Sequence, residues 1–295
     1  MQVMTVASVF LAAVVSAGAQ PSLSLMERIA AHPPRATLAA GQAEGEVVSF
    51  RSGDLTLEGF LFRPTGSGPF PAMIWNHGSE KMPGSQPELA AFYNSKGYVF
   101  FLPHRHGHGR SPGEYIVDIN NRLRASAANE EAAWPEMVKL HTIYNRDVAA
   151  AVEWLKSQPF VDQNRVVMSG VSYGGIQTLV SAENIAGVRG FISFAPAAMS
   201  WKMVPLRERM LTAIRNARAP IFLLQAANDY STGPSEVLGP AIRKRGPPNM
   251  AKLYPAFGAD DDHPKGHGAF ATWNIGIDIW STDVMKFINA IIKEN

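Results

Sequence analysis

Ser172 stands in Gly170-Val171-Ser172-Tyr173-Gly174, a G-x-S-x-G spacing. Roughly 0.1 such matches arise by chance in a chain of this length, so the surroundings must carry the weight. An apolar run, "RVVMS", leads into the motif, and a helical pattern, "GIQTLVSA", leads out of it. A sharp strand-to-helix turn strains the serine backbone and crowds its neighbours, which flanking glycines relieve. The same turn lifts Oγ clear of the sheet and sets it beside the positive end of the next helix. A serine hydroxyl is a poor nucleophile alone; it needs a base, and the base needs an orienting carboxylate. The chemistry on offer is acyl transfer, provided the chain supplies both partners.

Asp229 is the candidate carboxylate. The apolar strand "PIFLLQA" runs through Ala227 and Asn228 into it, and groups at the carboxyl ends of strands in a parallel sheet face the site. A turn or helix-capping aspartate is the competing reading. Two histidines compete for the base. His267 lies in Gly266-His267-Gly268, a loop free to bend back over the sheet; His263 follows the Asp260–Asp262 run, precedes Pro264 and reads as solvated loop. His267 is the expected base. The oxyanion hole needs the N–H after the nucleophile, that of Tyr173, and a second from the loop after the strand "AMIWN".

These groups need a frame. "EVVSF" and "LTLEGFLF" flank the turn "SGD" and read as a hairpin. Beyond it, short apolar strands ("AMIWN", "YVFFLP", "RVVMS", "VRGFISFA", "PIFLLQA", "AKLYP") alternate with helical patterns. One helix is predicted from the periodic positions Leu140, Ile143, Tyr144, Val148, Ala151, Val152 and Leu155, ending near Pro159. Alternation of this kind predicts an α/β fold: a mostly parallel central sheet flanked by helices, an N-terminal antiparallel hairpin and no large cap. Only residues 198–204 separate the "FISFAPA" strand from the next helix, so an open site is expected.

The 295 residues are 46% hydrophobic, enough to bury one sizeable core without division into domains. A net charge of +2 makes no electrostatic case for nucleic acid or an anionic membrane surface. With no cysteine, disulfides, thiolate metal sites and a cysteine nucleophile are all excluded. Residues 1–19 carry an apolar run and end in Ala17-Gly18-Ala19, which reads as a signal peptide cleaved after Ala19, exporting the mature protein. Residues 20–45 read as a leader segment and 46–295 as the catalytic domain. No stretch reads as a membrane span, and oligomeric state is left open.

On "DVAAAVEWLKSQPFVDQNRVVMSGVSYGG", "HGS" (His77 to Ser79), "HRHGHGRSPG", "AND" and "GHGAF", the chain resembles the α/β-hydrolase superfamily, within it the dienelactone hydrolase-like and prolyl oligopeptidase-like branch. The order Ser172, Asp229, His267 is the one that superfamily uses. The resemblance implies a serine hydrolase acting on small-molecule carboxylic esters without a cofactor, and points to the backbone N–H of Ser79 as the second oxyanion donor. Dienelactone hydrolases proper use a cysteine nucleophile, so a serine esterase is the better inference here. Peptidase, lactonase and acyltransferase chemistry use the same triad, and a non-catalytic binding scaffold is the alternative from another class. Trp201 and Met203 fall where the superfamily places pocket residues.

The alternating His104, His106 and His108 invite a metal, but Gly107 and Gly109 break the strand and no carboxylate is interleaved, so no metal site is expected. The Asp260–Asp262 run reads as solvated loop rather than a Ca²⁺ site. His77 is expected to hold its loop by a hydrogen bond, and Asp147, Asp162 and Arg165 to be structural.

Overall fold

A sheet whose inner strands are buried apolar runs organises this chain. The computed structural model describes residues 45–258 and 266–292. The signal peptide, most of the leader, the Asp260–Asp262 run and His263 lie outside them. In chain order the strands are β1 (Glu46–Ser52), β2 (Leu55–Phe62), β3 (Phe70–Asn76), β4 (Val99–Pro103), β5 (Val161–Val171), β6 (Phe191–Phe194), β7 (Ile221–Ala226) and β8 (Met250–Tyr254). They form one sheet in the order β1-β2-β4-β3-β5-β6-β7-β8. The β1–β2 hairpin and the β2–β4 pair are antiparallel, and every pair from β4 to β8 is parallel.

The helices are α1 (Pro87–Ser95), α2 (Ile116–Ser126), α3 (Glu130–Lys156), α4 (Tyr173–Asn184), α5 (Val204–Asn216), α6 (Gly233–Arg243), α7 (Gly268–Thr272) and α8 (Asn274–Ile291). They cover both faces of the sheet, which is why the inner strands are continuous apolar runs and not alternating ones. Strand alternation then divides each run between two cores. Ile74, Phe101, Val166 and Met168 pack with Val148 and Val152 of α3, Leu179 of α4 and Met210 of α5. Met73, Trp75, Phe100 and Val167 pack on the other face with Phe92 of α1 and Trp280 and Phe287 of α8. Among the described residues no helix is long and apolar enough to cross a membrane.

The structure departs from the sequence reading between β4 and β5. The helix predicted from Leu140 begins ten residues earlier, at Glu130, and α2 precedes it. Pro135 lies inside α3, and an interior proline ordinarily costs about 3 kcal/mol. Two features offset that cost. Asn129 caps the helix by accepting from the Ala132 N–H at 2.9 Å. Ala133, Trp134 and Met137 bury the early turns against the core.

Candidate active site

β5 ends at Val171 and α4 begins at Tyr173, leaving Ser172 alone in the turn with φ 58° and ψ −118°. That left-handed backbone is strained for a residue with a Cβ. It is pinned from both sides: the Ser172 N–H donates to Phe194 O, and Ile176 N–H donates to Ser172 O, each at 3.0 Å. Gly174 explains why the turn fits. A Cβ there would lie 1.9 Å from Asn76 O and 2.4 Å from His77 O, so α4 starts in direct contact with the end of β3. The first N–H groups of α4, Tyr173 included, lack intrahelical acceptors and carry the positive end of the helix.

Asp229 stands three residues beyond β7, its side chain fully buried. Oδ1 accepts from His267 Nδ1 and from the Tyr230 N–H, both at 2.7 Å, and Oδ2 accepts from Gln225 Nε2 at 2.8 Å. Gln225 is itself held, its Oε1 accepting from Ser235 Oγ at 2.7 Å. Three donors therefore fix the carboxylate. A carboxylate only accepts, so the neutral His267 ring carries its proton on Nδ1 and leaves Nε2 bare. That Nε2 is buried and has no hydrogen-bond partner among the described residues. The loop bearing His267 lies on Asn228, whose Oδ1 accepts from Phe257 N–H at 2.8 Å. A Cβ at Gly266 would sit 2.3 Å from that same oxygen, so the loop packs closely on Asn228 there.

Ser172, Tyr173, Ser79 and Met203 line one cavity of about 250 Å³. Ile116 and Asn120 of α2 and Met137 and His141 of α3 line it as well. The sequence does not announce this lining, because residues 104–139 carry glycines, Pro135 and few periodic apolar positions. Trp201 does not line the cavity. Its indole packs onto the Gly233 backbone at the start of α6, where a Cβ would lie 1.9 Å from Nε1, and the Arg207 guanidinium sits 5.6 Å above the ring.

The loop after β3, expected to supply the second oxyanion donor, is anchored from below. Arg105 is buried, and its Nη2 donates to His77 O at 2.9 Å and to Gly78 O at 2.6 Å. Its guanidinium lies 5.1 Å from the Tyr173 ring, tying the loop to the residue after Ser172. His77 is fully buried; desolvation, reinforced by Arg105, holds it well below the ordinary histidine range and hence neutral. The Arg105 backbone N–H meets its Nε2 at 3.4 Å and its Nδ1 lies 3.0 Å from Gly78 O, so His77 holds the loop.

The other histidines of this region go to separate partners. His104 Nε2 meets Gly84 O at 3.1 Å, and His108 Nδ1 meets His106 O at 3.0 Å. His106 Nδ1 pairs with Asp147 at 2.5 Å. Asp147 also accepts from Ser52 Oγ at 2.7 Å, and these bonds outweigh burial to hold its carboxyl below the usual range. Asp162 and Arg165 form a partly exposed ion pair at 2.6 Å. Among the described residues no group of three His, Asp or Glu side chains is arranged to hold a metal.

A polyketide transferase of Penicillium sp. is 28% identical over 167 residues, 56% of this chain and 49% of that protein. A quorum-quenching protein of Acinetobacter baumannii is 27% identical over 155 residues, 50% of this chain and 43% of that protein. The chain thus spans about half the length of the curated relatives it matches. The solved acylaminoacyl peptidase of Pyrococcus horikoshii superposes with a TM-score of 0.61 at 18% identity, over 85% of this chain and 42% of that one, a likeness of fold. The model of the dienelactone hydrolase family matches residues 57–274. The fold is that of the α/β-hydrolases, and the chain belongs to the dienelactone hydrolase family.

Proposed function

We propose that the protein is a serine hydrolase that cleaves small-molecule carboxylic esters through an acyl-enzyme on Ser172. The observation that carries the reading is the buried Asp229–His267 pair at 2.7 Å, which fixes the imidazole tautomer and frees Nε2 as a base. His267 takes the Ser172 proton as Oγ attacks the ester carbonyl, and returns it to the leaving alcohol. Water repeats the cycle on the acyl-enzyme, releasing the acid. The Tyr173 and Ser79 N–H groups receive the developing oxyanion, each such donor being worth about 2.7 to 4 kcal/mol. No cofactor enters, and the substrate is a small molecule suited to a cavity of about 250 Å³.

A fluorophosphonate probe followed by peptide mapping tests the nucleophile; absence of label on Ser172 would leave a binding scaffold in place of an enzyme. A panel of p-nitrophenyl esters, lactones and aminoacyl amides then sorts esterase from lactonase and peptidase. Turnover of amides alone would move the reading to a peptidase.

A further inference from the structure

The cavity that Ser172 lines also holds a polar group that the proposed reaction does not use. His141 of α3 is 6% exposed and borders the cavity, its ring stacked on Tyr173 at 4.6 Å between centroids. Its protonation state is set by a buried relay. Asn145 Nδ2 donates to Gln177 Oε1 at 3.1 Å and to Ser181 Oγ at 2.8 Å. Gln177 Nε2 then faces His141 O at 3.2 Å and His141 Nδ1 at 3.3 Å. A backbone carbonyl only accepts, so the Gln177 amide cannot be turned round, and Nε2 must be the atom that meets the ring. An amide nitrogen only donates, which makes His141 Nδ1 the bare nitrogen and leaves the proton on Nε2. Desolvation by burial, with Arg105 and Arg209 adding to it, holds the ring neutral by pushing its pKa down to about 3. Three buried side chains, none of them in the catalytic set, thus agree on one tautomer beside the cavity.

We infer that His141 Nε2–H is a fixed hydrogen-bond donor for a neutral oxygen acceptor, a keto, hydroxyl or ether group, carried by the substrate beyond its scissile ester. An apolar chain in the same place would leave that donor desolvated and unpaired, which is how buried polar groups discriminate most strongly. A cation gains nothing from a donor. His141 is thus a specificity residue, and Asn145 and Gln177 are positioning residues that act through it. The inference rests on the ester-hydrolase reading and names its substrate class: oxygenated esters.

The test uses matched pairs on the full chain. p-Nitrophenyl 4-oxopentanoate against p-nitrophenyl 4-methylpentanoate probes the acyl side; 2-methoxyethyl acetate against butyl acetate probes the alcohol side. The wild type is expected to favour the oxygenated member of one pair by roughly tenfold or more in kcat/KM. That ratio falls to about one in His141→Phe and is largely restored in His141→Gln, whose amide nitrogen reaches the Nε2 position. A purely structural His141 would not give selective rescue.

Ring-nitrogen NMR of histidine-labelled wild type gives a readout independent of the variants folding. Nε2 should stay protonated and Nδ1 bare from pH 7 to 5, with Nε2 shifting on addition of levulinamide and not of 4-methylpentanamide. An active wild type with no preference in either pair, a preference that survives His141→Phe, or an Nε2 blind to levulinamide overturns the inference alone. Inactivity on all four esters removes the ester-hydrolase reading and this inference with it.

Discussion

Acidification from pH 7 to 5 is expected to destabilise the protein steeply, because the fold keeps several histidines neutral. His77, His104, His108 and His141 are buried, and desolvation is the largest influence lowering each below 6.5, with Arg105 adding to it. For His108 and His141 the value falls to about 3. Unfolded, each takes a proton near pH 6.5; folded, these two do not until about pH 3. Their contribution to stability is therefore complete above 6.5 and is lost progressively as the pH falls towards 3. At 1.36 kcal/mol per pH unit, each of the two has withdrawn about 2 kcal/mol by pH 5. The pair alone then removes about 4 kcal/mol from the roughly 5–15 that hold an ordinary domain. Carboxylates contribute mainly lower down, since unfolded aspartate and glutamate titrate near pH 4. Urea midpoints at pH 7, 6 and 5, followed by circular dichroism at constant m-value, measure the loss. His141→Phe should lower the slope between pH 6 and 5 by about one proton. A stability flat across this range, or a slope the variant leaves untouched, would refute the reasoning.

Two further outcomes are expected on the ester that the wild type turns over best. Ser172→Ala and His267→Ala should each lose roughly 10⁴ to 10⁶ in kcat and Asp229→Ala somewhat less, with His263→Ala within a few-fold of wild type. A dead His263→Ala beside an active His267→Ala would transfer the base to His263. Gly174→Ala drives a methyl into two backbone carbonyls and should cost about 1–3 kcal/mol, with a roughly hundredfold fall in kcat/KM from displacement of the turn. Unchanged Tm and activity would show that the turn relaxes freely.

A residue type with few ways to be used declares its role in the sequence. The sheet was legible because buried parallel strands are apolar runs bounded by turns. The serine turn was legible because strand, glycine and helix meet there in five residues. His77, Asp147, Asp162 and Arg165 could be read as structural, and the bonds of His77 to Gly78, Asp147 to Ser52 and Asp162 to Arg165 are of that kind. The cavity wall was not legible. Only Ile116 of α2 is buried, so that helix shows no apolar stripe, and Pro135 argues locally against the first turns of α3. The histidine tautomers were equally hidden, since His141 owes its state to Asn145 and Gln177, and Gln177 lies 36 positions away on α4.

The contact between Gly174 and the carbonyls of Asn76 and His77 has a consequence for how this molecule can diversify. Because α4 rests on the end of β3 without an intervening side chain, the turn bearing Ser172 and the loop bearing Ser79 cannot shift independently. In the proposed mechanism their alignment acts as one block, so little reorganisation is demanded when charge develops. Ile116, Asn120 and Met137, which also line the cavity, come from another stretch of chain. In the proposed enzyme, selectivity can therefore be tuned by substitutions in that stretch, apart from the Ser172 turn. Libraries confined to positions 116, 120 and 137 would explore new substrates while leaving that block in place, whereas a side chain at position 174 would disturb it.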